Sequence, residues 1–358
     1  MNAPFRSAAL RVSAADFGDP AELRRTEAFV QAHSDGTPFH RPAWLLASAK
    51  GTDNRAHALL AEQGGEIAAY LPLTEIHSPL FGRMLASSGF AVGGGLLASE
   101  GVSGAAIFAA LEQMAVRLSC PSIELRGGIL PPRRAGWSIK RDSHCGFVLP
   151  LAADDEAQLT GIPRKPRAEV RKGLAGELAV TVGSAASDRA AHYAVYAESV
   201  RNLGTPVFPA RLFSEVLDAF GANADILTVW HGADPVASVL SLYHGGAVMP
   251  YWGGGTHAAR RLRANDRMYY ELMLHARRRG CERFDFGRSK TLSGAYDFKR
   301  NWGFEPEPLS YAVWTAPGTA PRDADPTSAK HAARIALWKR LPLPLANLIG
   351  PYIARGLG

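Results

Sequence analysis

Apolar and polar positions alternate in two separate parts of the chain, and both parts run through the same order of patterns. In the first half, AHALLA and IAAYLPL flank the glycine-containing EQGGE, which predicts a β-hairpin. There follow SSGFAVGGGLLAS, a stretch of helical periodicity from Val102 to Leu118, and the strand-like CPSIELRGG. In the second half, DILTVW and VASVLSL flank HGADP, then come MPYWGGGTHAAR, a helical stretch from Asp266 to Arg279, and CERFDFGRS. Gly93 lies 27 positions before Cys120, and Gly253 lies 28 before Cys281. A shared order at a shared spacing is the mark of an internal repeat. Each half therefore reads as a meander of antiparallel strands, a crossover helix and a further strand, giving two related α/β domains.

The second helix has clear end signals. Asn265 or Asp266 is the expected N-cap, Met268, Tyr269, Leu272, Met273 and Ala276 form an apolar face, and Arg277 to Arg279 precede Gly280. Between the halves, TGIPRKPRAEVRKGLAGE gathers Arg164, Lys165, Arg167, Arg171, Lys172 and the nearby Arg189 against only Glu169 and Glu177. Pro163 and Pro166 make its start a turn or a helix entry. The segment is either a solvated linker helix or a phosphate-binding platform beside a cleft. The chain then closes with the linker-like APGTAPRDADPTSAK and a segment, residues 331–355, in which Ile335, Leu337, Trp338, Leu341, Leu345, Leu348 and Ile349 alternate with Arg334, Lys339, Arg340 and Arg355. Pro342, Pro344 and Pro351 interrupt it, so it either packs on the body or lies on a membrane surface.

Composition narrows the class. Of 358 residues, 47% are hydrophobic and 20% charged, an ordinary globular balance long enough for two cores. A net charge of +7 favours an acidic partner such as tRNA, a nucleotide-linked sugar, a polysaccharide or an anionic bilayer. Cys120, Cys145 and Cys281 are too few and too scattered for a disulfide framework or a zinc site, which fits a reducing cytoplasm. Neither a signal-peptide core nor a spanning segment of about 18 apolar residues is expected. The chain has no Walker loop ending in Lys-Ser or Lys-Thr, no H-E-x-x-H and no G-x-S-x-G, and no metal is expected. A helix N-terminus behind each glycine triplet would suit a phosphate or a developing oxyanion, although a turn or bulge explains a triplet equally well.

The order of elements, with TPFHRPAWL, IPRKPRAEVRKG, RNLGTPVFP, FDFGRSK, GAYDFKRNWGFEPEPL and LWKRLPLPLANLIGP, resembles the Fem-type (FemABX) peptidyltransferases over about Pro38 to Trp314. It is most similar to the FemAB-like proteins associated with exosortase (PEP-CTERM) and exopolysaccharide systems. The resemblance implies an α/β (α+β) fold of two tandem GNAT-like acyltransferase domains, each a mixed, mainly antiparallel sheet flanked by helices. Residues 1–155 would form the first, 156–316 the second with the active site, and 317–358 a linker and basic amphipathic end. It implies transfer of an acyl or aminoacyl group to an amine or hydroxyl of an envelope or exopolysaccharide precursor, in the cytoplasm or at the periphery of the inner membrane. No cofactor is expected to stay bound. Acyl-CoA, aminoacyl-tRNA or acyl carrier protein are the possible donors. The GNAT signature Q/R-x-x-G-x-G/A should fall just before Asp266, where the chain reads ARRLRAND, and no coiled-coil arm for tRNA is present, so the donor stays open.

Acyl transfer needs a neutral nucleophile, a donor carbonyl within reach and positive potential on the oxygen that becomes anionic. The resemblance points to Lys299, the Lys of the family's F-K motif, for that potential. Asp285, alternating with Phe284 and Phe286, is placed to orient Lys299 or Arg288 or to act as base, and a surface acid with its own salt bridge is the plainer reading. Arg288, Ser289 and Tyr296 follow where strand gives way to loop, and Tyr251 and Trp252 either contact a sugar or base or are core. For the acceptor, His40, Trp44, Arg164, Lys165 and Arg167 are the candidates. A small-molecule N-acyltransferase and a non-catalytic scaffold for polysaccharide assembly are the alternatives.

Overall fold

The computed structural model describes residues 9–320 and 329–358. In chain order it holds β1 (Arg11–Ala14), α1 (Pro20–Ala32), α2 (Pro42–Thr52), β2 (Arg55–Gln63), β3 (Glu66–Ser78), β4 (Gly82–Ser87), β5 (Leu97–Ala98), α3 (Ala105–Arg117) and β6 (Ser122–Arg126). Then come β7 (Trp137–Gly146), β8 (Val148–Pro150), α4 (Asp155–Gly161), α5 (Arg164–Ala175), β9 (Leu178–Gly183), α6 (Ala186–Leu203) and α7 (Ala210–Phe220). The remainder is β10 (Ala224–His231), β11 (Asp234–His244), β12 (Ala247–Gly255), α8 (His257–Leu262), α9 (Ala264–Arg278), β13 (Arg283–Asp285), β14 (Ser289–Lys290), α10 (Gly294–Asn301), β15 (Glu307–Thr315), α11 (Ala329–Arg340) and α12 (Leu343–Ala354). Two compact units result: residues 9–140, 310–320 and 356–358 form unit 1, and residues 141–309 and 329–355 form unit 2.

Six strands of the first sheet repeat the order of the six in the second. In unit 1 the order is β1-β2-β3-β4-β6-β15, with β5 also on β3; in unit 2 it is β9-β10-β11-β12-β13-β8. Both run antiparallel for four strands, make one parallel step (β4 with β6, β12 with β13), and continue into an antiparallel strand, beyond which the first sheet goes on to β7. Each sheet is thus mixed and mainly antiparallel. The β2–β3 turn is made by Gly64 and Gly65 and the β11–β12 turn by Gly245 and Gly246, all at positive φ, the conformation that tight hairpins require.

The sixth strand departs from a simple tandem order. Residues 148–150, placed by sequence with the first domain, pair with β13 of unit 2, while residues 311–315, placed with the second, pair with β6 of unit 1. Backbone pairing between strands far apart in sequence leaves no local pattern to read.

Helix α3 buries Ile107, Phe108, Leu111 and Ala115 on the unit 1 sheet. Its counterpart α9 buries Met268, Leu272, Met273 and Ala276 of the expected apolar face in the unit 2 core, while Tyr269 of that face is half-buried and Tyr270 is buried. Each such side chain withdrawn from water stabilises the fold by about 1.5–3 kcal/mol when large and aliphatic. The expected N-cap of α9 is corrected: Arg263, at φ 57°, ends α8 and begins α9, so Asn265 and Asp266 lie inside the first turn. The basic segment after Pro163 is the helix α5, whose Pro166, Val170 and Gly173 are buried. Gly173 sits against Arg263 and Arg267, where a Cβ would be crowded. Arg189 does not join the α5 cations, since it pairs with Asp218 at 2.6 Å. Of the linker-like stretch, residues 321–328 lie outside the described residues.

Candidate active site

The parallel strands of unit 2 diverge. β12 pairs with β13 only at Ala247 with Arg283 and Val248 with Phe284, although β12 continues to Gly255. Against β11, Leu240 faces Trp252 and Ser241 faces Pro250, so Tyr251 is the extra residue of a β-bulge. A bulge bends the strand and re-aims its backbone, and the C-terminal end of parallel strands is where α/β proteins hold ligands. Unit 1 has the same two-residue parallel step, Leu85 with Ile123 and Ala86 with Glu124.

The glycine triplets of the two halves are not equivalent. Gly253 to Gly255 end β12, whereas Gly93 to Gly95 lie in the loop between β4 and β5. In β12 the glycines permit close packing: a Cβ on Gly254 would strike Ser199 of α6, and one on Gly255 would come within 2.6 Å of the Ala259 Cβ. The expected helix N-terminus behind the triplet is occupied by the chain itself. Glu198 Oε1 accepts the His257 N–H at 2.7 Å at the start of α8. Asp266 occupies the first turn of α9, its carboxyl pushed up to about 6 by burial and then by Glu169, with Arg263 opposing. A cleft of about 1440 Å³ opens here, bordered by Ser199, Asn202, Gly254, Arg260, Arg261 and Asn265. Its rim is mixed in charge, with carboxylates already at both helix starts.

The second cluster lies past β13. Phe284 and Phe286 are buried in the core and Asp285 is half-buried, as strand alternation requires. Asp285 Oδ1 accepts the Gly287 N–H at 2.8 Å. Burial holds its carboxyl above the ordinary range, while the Gly287 N–H and Lys299 pull it down. Ser293 caps α10 by accepting the Tyr296 N–H, and the helix carries Lys299 inward to 8% exposure. The Lys299 Nζ donates to the carbonyls of Gly287 (3.2 Å) and Arg288 (3.0 Å) and lies 5.3 Å from the ring centres of both Phe147 and Phe286. Burial lowers its pKa to about 8, Asp285 pushes it back up and Arg288 adds to the lowering. The result is an ammonium held by carbonyl dipoles and aromatic faces, able to change charge near neutral pH.

The structure thus gathers Asp285, Arg288, Ser289, Tyr296 and Lys299 around one turn of unit 2. Ser289 is buried and its hydroxyl has no hydrogen-bond partner among the described residues. Tyr296 packs edge-on to Phe147 at 5.5 Å. Tyr251 is half-buried on β12, whereas Trp252 is core, 4.8 Å from Phe213. Arg164 and Lys165 are exposed on α5, and Arg167 donates to the Thr160 carbonyl, closing the end of α4.

His40 and Trp44 lie inside unit 1, at 3% and 0% exposure, a correction to their expected role in holding an acceptor. His40 Nε2 is 3.1 Å from the Gly95 carbonyl and its Nδ1 is 2.8 Å from Thr37 Oγ1; Trp44 Nε1 donates to the Gly89 carbonyl. Their polar atoms serve the loop, and the rings fill the core beside Phe39.

Sequence reasoning missed α8, the bulge, and a buried polar chain in which His192 Nδ1 meets Ser238 Oγ at 3.1 Å and Ser238 meets Thr228 Oγ1 at 2.9 Å. Thr256 before His257 is the one local signal for α8. Nothing around His192 in RAAHYAVY marks its burial.

Residues 164–300, all within unit 2, match the family described as the acetyltransferase (GNAT) domain. Three solved structures share the fold over 80–88% of this chain. FemX is 14% identical with a TM-score of 0.63, covering 80% of this chain and 95% of its own. A tandem GNAT protein from the clavulanic acid biosynthesis pathway is 11% identical with a TM-score of 0.57, covering 88% and 100%. The C-terminal domain of a protein from Agrobacterium fabrum described as a lysylphosphatidylglycerol synthetase is 14% identical with a TM-score of 0.55, covering 81% and 91%. At these identities the likeness is one of fold: two tandem GNAT-like domains. No curated protein sequence matches the chain. Among the described residues no group of His, Cys, Asp or Glu could hold a metal ion, and no helix is long and apolar enough to cross a membrane.

Proposed function

We propose that unit 2 is an acyltransferase that moves an activated acyl or aminoacyl group onto an amine or hydroxyl of an envelope or exopolysaccharide precursor. The observation that carries this reading is the divergence of β12 from β13 within a GNAT-type domain, at the strand end where Lys299 is buried. A strand edge opened in this way offers backbone N–H groups to a donor carbonyl. The acceptor nitrogen or oxygen attacks the carbonyl carbon and forms the new C–N or C–O bond. The oxyanion collapses, and the bond to the leaving sulfur or oxygen breaks. Asp285, its carboxyl raised by burial, takes the proton shed by the acceptor. Lys299 supplies positive potential through its ammonium, which the Gly287 and Arg288 carbonyls hold in place.

The envelope acceptor rests on two likenesses, to FemX and to the protein described as a lysylphosphatidylglycerol synthetase. The domain match favours acyl-CoA as donor. The carboxylates of Glu198 and Asp266 at the starts of α8 and α9 oppose a diphosphate there and favour aminoacyl-tRNA or acyl carrier protein.

The test is transfer of labelled acyl groups from acetyl-CoA, from charged tRNA and from acyl carrier protein, in separate reactions, to amines and to lipid-linked precursors, with products read by mass spectrometry. One donor is expected to give product, lost in Lys299→Ala and Asp285→Asn. Failure of all three would support the scaffold reading, and undiminished transfer by both variants would remove the assigned roles.

A further inference from the structure

Helix α12 is built inside out. At about 100° per residue, Ala346, Gly350 and Ala354 occupy one arc, and Leu345, Leu348 and Tyr352 occupy another centred about 170° away. The small residues face inward: all three are buried, and Gly350 lies against Val207, where a Cβ would stand 3.1 Å from the backbone nitrogen. Three large apolar residues face out, with Leu345 43%, Leu348 64% and Tyr352 69% exposed, while Ile349 and Ile353, beside the small arc, are half-buried. A helix that merely packed on its unit would bury the leucines and expose the alanines. Instead the small face lets α12 sit closely against the backbone at Val207, while Leu345, Leu348 and Tyr352 are turned to the outside.

One cation sits on this face, and two more are exposed just before it in the chain. Arg355 lies 5.7 Å from the Tyr352 ring centre. Lys339 and Arg340 are exposed in the last turn of α11, where Leu337 is 65% exposed. Lys339 also lies beside Gly204 at the end of α6. The chain as a whole carries +7.

We propose that the outer face of α12, with Leu337, Lys339 and Arg340 of α11, docks on an anionic bilayer surface. Apolar side chains enter the headgroup boundary while lysines and arginines meet lipid phosphates, the arrangement of an interfacial helix. Leu343, the first residue of α12, also lines the cleft bordered by Gly254 and Ser199. Docking by this face would hold that cleft at the lipid surface, within reach of a lipid-linked acceptor. The docking itself stands whether or not unit 2 transfers acyl groups.

The test is flotation of the full chain with vesicles of phosphatidylcholine alone and with phosphatidylglycerol added, at low and at physiological salt. Binding is expected only with the anionic lipid and should weaken with salt. Leu348→Ser with Tyr352→Ser, and separately Lys339→Glu with Arg340→Glu, should each lower it by at least about tenfold, with melting temperatures unchanged because all four side chains are exposed. Absence of binding to anionic vesicles would overturn the proposal. So would sedimentation showing that Leu348→Ser with Tyr352→Ser turns a dimer into a monomer while vesicle binding persists, since the face would then belong to a second copy of the chain.

Discussion

Lys299→Met tests the central electrostatic claim about unit 2, because methionine keeps the length of the side chain and removes its charge. A pKa lowered from 10.5 to about 8 corresponds, at about 1.4 kcal/mol per pH unit, to about 3 kcal/mol by which the fold disfavours the ammonium. The unfolded chain keeps this proton up to about pH 10.5 and the folded chain only to about 8, so the unfolded state binds more protons between those values. Stability due to this group therefore rises with pH across the window, and below pH 8 the fold carries the full penalty. Urea unfolding followed by tryptophan fluorescence, with buried Trp302 one turn from Lys299, gives stability at pH 7 and pH 10. The difference between wild type and Lys299→Met should move by about 2–3 kcal/mol toward the wild type as the pH rises. The absolute value at pH 7 is less telling, since the variant also abandons the carbonyls of Gly287 and Arg288. Parallel pH dependences in the two proteins would refute the buried-charge account. In acyl-transfer assays, wild-type rates should fall above about pH 8 as the ammonium discharges, and the variant should lack that limb.

Three other perturbations follow from packing and hydrogen bonding. Gly254→Ala drives a methyl into Ser199 and should lower stability by about 1–3 kcal/mol, with Ser199→Gly restoring most of the loss in thermal melts. His192 is buried and neutral, its pKa lowered to about 3, so its contribution is complete above about pH 6.5 and is lost as pH falls toward 3. Between pH 7.5 and pH 4 the wild type should lose about 3 kcal/mol more than His192→Gln in urea unfolding, and equal losses would sink this account. Tyr243→Phe removes the 2.8 Å hydrogen bond to buried Asp225 and should lower stability by about 1–3 kcal/mol, read by the urea midpoint.

The repeat was legible because its hairpins advertise themselves: strand-like runs flank EQGGE, with its turn at Gly64–Gly65, and HGADP, with Gly232 at positive φ, and the pattern leaves few other conformations. The face of Asp285 was legible for the same reason. The burial of Lys299 was not, since one of the rings beside it, Phe147, comes from a strand junction far back in the chain. The burial of His40 and Trp44, expected at an acceptor site, was not legible either, because the approach of the backbone at Gly89 and Gly95 encloses them. The basic run at Arg164, open in sequence between a linker helix and a phosphate platform, forms a helix with one buried face, but α8 escaped notice because Ala259 is its one buried residue, too little for periodicity. The glycine triplets misled in a specific way: similar letters serve a strand end in one unit and a loop in the other.

The pairing of β15 with β6 has a biosynthetic consequence. Ala312 and Trp314 belong to the hydrophobic core of unit 1, yet they leave the ribosome after all of residues 141–309. The amino-terminal sheet must wait through that interval with an exposed edge and an unfinished core, a state of high contact order prone to association with other nascent chains. A gene fragment ending at residue 155 would encode that vulnerable state permanently. Recombination between relatives would have to exchange both ends of unit 1 together, which ties the inheritance of the two halves more tightly than their linear order suggests.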